Sequence, residues 1–156
     1  ALSQANSLDG VVLHSLSEAF VAAPAALSGR DIAVAIPCLG EALPHDSRTT
    51  LASRAAETAQ AMSPAQLART ACGFGDLSIT HPELWEALRK EVVQRVAAFS
   101  AADVLRVAVG FDAAGIHDYI VSQQCWGMVA ENSKRYLAEE SLELIRLWSR
   151  LDAALQ

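Results

Sequence analysis

SPAQLARTACGFGDLSITHPELWEALRKEVVQRVAAF, residues Ser63–Phe99, is followed by a partial copy of its own first half, SAADVLRVAVGFDAAGI, Ser100–Ile116. A shift of 37 residues places Ser63 on Ser100, Arg69 on Arg106, Ala71 on Ala108, Gly73 on Gly110, Phe74 on Phe111 and Ile79 on Ile116. A fixed period of this size marks stacked supersecondary units, each unable to bury its apolar face alone.

Working outward, Ser63-Pro-Ala-Gln66 reads as a capping box with Pro at the first helical position. Ser100-Ala-Ala-Asp103 repeats it without the Pro, and Ser28-Gly-Arg-Asp31 anticipates it upstream. Each start leads an apolar stripe spaced by 4 and 3: Ile32, Ile36, Leu39; Leu67, Ala71, Phe74; Val104, Ala108, Phe111. That spacing puts each set on one helical face. Pro37 interrupts the first pattern and is expected to kink or shorten its helix.

The partner helices show the same register. Asp46–Met62, after a turn at Leu43-Pro44-His45, carries Leu51, Ala55, Ala59 and Met62, which the same shift places on Leu88, Val92, Val96 and Phe99. Thr80-His-Pro-Glu83 reads as a further capping box opening a helix through Ala98, with Glu86–Lys90 and Glu91–Arg95 pairs marking a solvated face. Downstream, Val121, Cys125 and Val129 fall on Leu84, Leu88 and Val92, while Ile145 and Trp148 fall on Ala108 and Phe111. Asn6–Leu27 reads as a helix disturbed at Pro24.

The predicted fold is therefore all-α, a short α-solenoid of stacked helix-turn-helix repeats of about 37 residues forming one domain over 1–156. Its units are an N-terminal half-repeat 1–27, repeats 28–62, 63–99 and 100–136, and a C-terminal half-repeat 137–156. Gly73 and Gly110 fall in helix interiors, where Gly costs about 0.8 to 1 kcal/mol relative to Ala, so close helix approach is their expected use.

Composition narrows the function classes. Apolar residues make up 52% and charged residues 19%, against about 45 to 50% and about 25% in ordinary soluble domains. Low charge on a chain of 156 residues points to helices buried on more than one side or to a surface covered by a partner, the latter being favoured. The net charge of -6 argues against a broad grip on polyphosphate. Cys38, Cys72 and Cys125 are odd in number and widely spaced, which indicates buried free thiols rather than a disulfide framework or a zinc ribbon. No run of 18 apolar residues exists, so no membrane span is expected. Ala1–Gly10 carries no Arg and no apolar run, so no targeting peptide is expected, and an Ala start fits a processed form.

The pattern S-x-x-x-L/V-x-R-x-A-x-G-F resembles the heptatricopeptide repeats of apicomplexans and their relatives, and more loosely the octotricopeptide and FAST-kinase-type repeats. Ser63–Ile79 and Ser100–Ile116 fit best, whereas the unit from Ser28 has Cys38 and Leu39 in place of Gly and Phe. The resemblance implies an organellar protein, mitochondrial or alternatively plastid. It implies either an accessory or structural subunit that contacts other protein subunits, or an RNA-binding repeat protein such as a component of an organellar ribosome.

Arg69 and Arg106 stand two residues past Leu67 and Val104, roughly 200° from the stripe at about 100° per residue. Stacking would align them as a two-Arg ladder for phosphates or acidic partner groups, which Lys134 and Arg135 would extend. His45, His81 and His117 recur every 36 residues at turns, where capping is expected rather than metal binding, and no metal or cofactor is expected elsewhere. Trp85, Trp126 and Trp148 are expected in the core. No nucleophile motif, third loop glycine or small-molecule site emerges, so the sequence points away from an enzyme.

Overall fold

The computed structural model describes Glu18 and residues 22–131, and every element among them is helical. Six α-helices follow in chain order: α1 Gly29–Leu39, α2 His45–Thr58, α3 Pro64–Asp76, α4 Pro82–Arg95, α5 Ala101–Ala113 and α6 Tyr119–Glu131. The half-repeat 137–156, with Trp148, lies outside the described residues, as does most of the helix expected from Asn6.

The capping serines start α1, α3 and α5. Ser28, Ser63 and Ser100 each accept a hydrogen bond from the N–H three residues on, at Asp31, Gln66 and Asp103. The reciprocal bond back to the serine backbone forms at Ser28 and Ser63. At Ser100 the hydroxyl instead donates to the Asp103 carboxylate at 2.7 Å. Bonds from the Ser28 hydroxyl and backbone N–H hold the Asp31 carboxyl below its ordinary value.

Three 3-10 turns, Pro24–Ala26, Ala59–Ala61 and Val96–Ala98, each end two residues before a capping serine, a feature the helical pattern did not foretell. Between turn and serine lies one extended apolar residue: Leu27, Met62 or Phe99. With Ile32, Leu67 and Val104 four residues into the following helices, these occupy the positions of a hydrophobic staple, which sets the angle at which the chain enters the helix. Met62 and Phe99 are buried.

The C-termini of α3 and α5 also match. Ile79 N–H donates to Phe74 O at 3.1 Å and Ser78 N–H to Gly75 O at 2.7 Å; Ile116 and Gly115 repeat both bonds to Phe111 and Asp112. This is the Schellman arrangement, which needs a left-handed residue just past the helix. Gly115 adopts it at φ 70°, whereas Ser78 adopts it at φ 52° despite carrying a Cβ. Helix α1 ends differently: with Pro37 inside, it stops at Leu39 and continues as a 3-10 turn, Gly40–Ala42.

Helix α3 packs against both α1 and α5, α4 packs against both α2 and α6, and each first helix packs on the second helix of its own unit. One apolar core runs through all six, from Ile32 and Ile36 through Leu67, Phe74, Leu84 and Leu88 to Phe111, Val121 and Cys125. Trp85 belongs to it, edge-on to Phe111 at 4.9 Å, its indole N–H donating to Ile79 O at 2.7 Å. The glycines serve the expected close approach. A Cβ on Gly110 would strike the Ala71 backbone, one on Gly75 the Gly110 backbone, and one on Gly73 would lie 2.7 Å from Ile36 Cγ2.

Four expectations are corrected. The cap of α4 is His81, not Thr80: its Nδ1 accepts from Leu84 N–H at 3.4 Å, and Pro82 takes the first helical position. The Glu91–Arg95 pair is not on a solvated face. Glu91 is buried, and Arg95 reaches from it at 2.9 Å to the carbonyl of Met62 at 2.8 Å, because the 3-10 turn that closes α2 folds over that side of α4. Glu86 pairs with Arg89 at 3.5 Å, not with Lys90. Finally, the thiols are not uniformly buried: Cys38 is exposed, Cys72 half-buried and Cys125 buried, because Cys38 falls on the outer side of α1, two residues past the buried Ile36.

Candidate partner-binding face

The ladder position falls on the outer side of the first-helix row. Its residues are Val34 on α1, Arg69 on α3 and Arg106 on α5, all exposed. Arg69 makes no hydrogen bond or ion pair with a described residue. Arg106 is tied at 2.9 Å to Asp103, one turn back on its own helix, so its charge already has a carboxylate partner. Lys134 and Arg135 lie outside the described residues.

The surface opens into a crevice of about 160 Å³ between α1 and α3, lined by Ile36, Pro37, Cys38, Glu41, Gly73, Asp76 and Leu77. Of these, Pro37, Cys38, Glu41 and Asp76 are exposed, as is Val34 elsewhere on α1. Sequence pattern singled out neither Glu41 nor Asp76, because they fall at non-equivalent places in their units and meet only through packing. The Cys72 thiol lies 3.8 Å from the Asp76 carboxylate; burial, and then that neighbouring charge, raise its pKa above the ordinary thiol value. Burial alone pushes Cys125 up to about 12, which makes it inert as a nucleophile near neutrality.

A second hollow, of about 200 Å³, lies at the turns and is lined by His45, Thr49, Ser78, Ile79, Thr80, His81 and Pro82. Its imidazoles are not equivalent. His81 is occupied structurally, as cap of α4 and at 3.1 Å from Ser53 Oγ of α2. His45 is exposed at the start of α2, and His117 is exposed just before α6, whose cap is Asp118 through Val121 N–H. Among the described residues no three His, Cys, Asp or Glu side chains converge as a metal-binding group. Trp126 is 36% exposed on α6, unlike Trp85. No helix among the described residues is long and apolar enough to cross a membrane.

Comparison with known protein families, curated proteins and solved structures finds no match. Functional inference therefore rests on the residues themselves.

Proposed function

We propose that this chain is a non-enzymatic helical-repeat scaffold, a short α-solenoid acting as an accessory or structural subunit of a multiprotein complex in mitochondria or, alternatively, plastids. The observation that carries it is the packing of first helices on first helices and second helices on second helices, with α3 and α4 each held on two sides. Such a stack presents extended faces rather than a single deep pocket, the usual contact mode of solenoids. The high apolar content and the exposed Val34, Pro37 and Cys38 support a protein neighbour. The organelle rests on the repeat resemblance alone.

The RNA-binding reading has one specific observation in its favour, the exposed Arg69, which pairs with no described residue. Against it stand the Asp103 partner of Arg106 and the net charge of -6. Purification of the native protein at low salt, followed by a salt titration of whatever co-purifies, separates the two. A protein partner retained as salt rises supports the scaffold. RNA that dissociates steeply with salt, with a log–log slope of about -0.7 per phosphate contact, replaces it with the RNA reading.

A further inference from the structure

We infer that the crevice between α1 and α3 receives one lysine or arginine side chain presented by a partner protein. The inference deepens the scaffold reading and rests on it for the existence of a partner, while the recognition chemistry stands on the crevice itself. Its lining combines the apolar Ile36, Pro37, Gly73 and Leu77 with the acidic Glu41 and Asp76. Both acids are exposed and neither forms an ion pair with a described residue.

Two cations on neighbouring elements are already engaged. Arg48 donates to the carbonyls of Leu43 and Glu41, at 2.8 and 2.9 Å, and Arg106 is paired to Asp103. Asp76 has a weak thiol contact at 3.8 Å from Cys72 and no stronger donor among the described residues. Carboxylates only accept, so the complementary occupant is a donor bearing positive charge. Apolar groups and carboxylates in one lining match the anatomy of Lys and Arg, a methylene stem under a charged head.

Size decides between a side chain and a larger ligand. A volume of about 160 Å³ corresponds to about five waters at ~30 Å³ each. Small-molecule sites span about 300 to 1,000 Å³, so the crevice suits one long side chain. The same carboxylates repel phosphate, which makes this part of the face unsuited to an RNA backbone.

The test titrates the 15N-labelled full chain with Nα-acetyl-lysine methylamide and with its neutral counterpart, Nα-acetyl-norleucine methylamide. The lysine probe should shift the backbone amides of Cys38, Gly73 and Leu77 saturably and bind about threefold or more tightly than norleucine. The double variant Glu41→Gln/Asp76→Asn should bring lysine down to the norleucine level while its melting temperature stays at that of the parent chain. Equal binding of the two probes overturns the inference, as does absence of shifts at those amides, or undiminished lysine binding by the double variant. The comparison of probes on the parent chain decides even if the double variant folds poorly. A native protein partner that co-purifies while the crevice ignores lysine removes this inference and spares the scaffold; a lysine-binding crevice with no co-purifying partner does the reverse.

Discussion

The contact between α3 and α5 and the contact between α1 and α3 occupy equivalent places in the stack, yet they are built differently. Between α3 and α5, backbone meets backbone: the space a Cβ would need at Gly110 is held by the main chain of Ala71, and at Gly75 by that of Gly110. Between α1 and α3, side chains intervene, with Ile36 Cγ2 against Gly73 and the tip of Leu77 against Gly40. A backbone cannot rotate away, a β-branched methyl can do so only with its whole side chain, and a leucine tip can change rotamer. The two junctions therefore differ in how much intrusion they tolerate.

An alanine series exposes that gradient. Gly110→Ala should cost about 3 kcal/mol, lowering Tm by about 10 °C in a thermal melt, since the helices must part. Gly73→Ala should cost about 1 kcal/mol, the clash with Ile36 being offset in part by the better helix propensity of Ala. Gly40→Ala should leave Tm within about 2 °C, because Gly40 has helical dihedrals and only Leu77 must move. Equal losses at Gly110 and Gly40 would erase the distinction between the junctions.

The second-helix row sharpens the comparison, for its junctions are joined by polar side chains. Asp118 caps α6 through Val121 N–H at 2.9 Å and takes an ion pair from Arg89 of α4 at 2.6 Å. His81 caps α4 and meets Ser53 of α2 at 3.1 Å. The cap of one second helix is thus held by the second helix before it, with a charge in one case and a hydroxyl in the other. Asp118→Ala should cost about 1 to 2 kcal/mol in urea unfolding, since a cap and a half-buried ion pair go together. Ser53→Ala should cost about 0.5 kcal/mol, because His81 keeps its cap bond. A larger loss from Ser53→Ala than from Asp118→Ala would show that the hydroxyl link governs this row.

A small gain in stability tests the matching helix ends. Ser78 and Gly115 adopt the same left-handed backbone, but Ser78 carries the steric cost of its Cβ there. Ser78→Gly should raise stability by about 0.5 kcal/mol, the relief of strain exceeding the entropy lost by the more flexible unfolded chain. A destabilised Ser78→Gly would mean that the serine hydroxyl contributes more at this turn than its strain takes away.

Much of the helical framework was legible because its signals are local. The serines at 28, 63 and 100 cap through atoms three residues away, and the 4-and-3 stripes reach the core at Ile32, Ile36, Leu67, Phe74, Val104 and Phe111. Glu91 and Arg95 were misread for the opposite reason. An i, i+4 ion pair looks the same on a solvated face as on a covered one, and only the Met62 and Ala59 carbonyls, 33 and 36 residues back from Arg95, reveal the cover. The candidate site was legible only at Arg69 and Arg106, where repetition marks a shared face; Glu41 and Asp76 share no repeat position and no local motif.

Sequence by itself thus determined where α1, α3 and α5 start, the main apolar stripe of each and where glycine interrupts it, since capping bonds and 3.6-residue periodicity act within a few residues. Tertiary structure alone decided what each glycine admits, whether a backbone, a stiff methyl or a leucine tip, and which uncompensated charges gather around one crevice. Those outcomes depend on chains brought together across 35 or more residues, as Glu41 and Asp76 are, and no local pattern encodes the meeting.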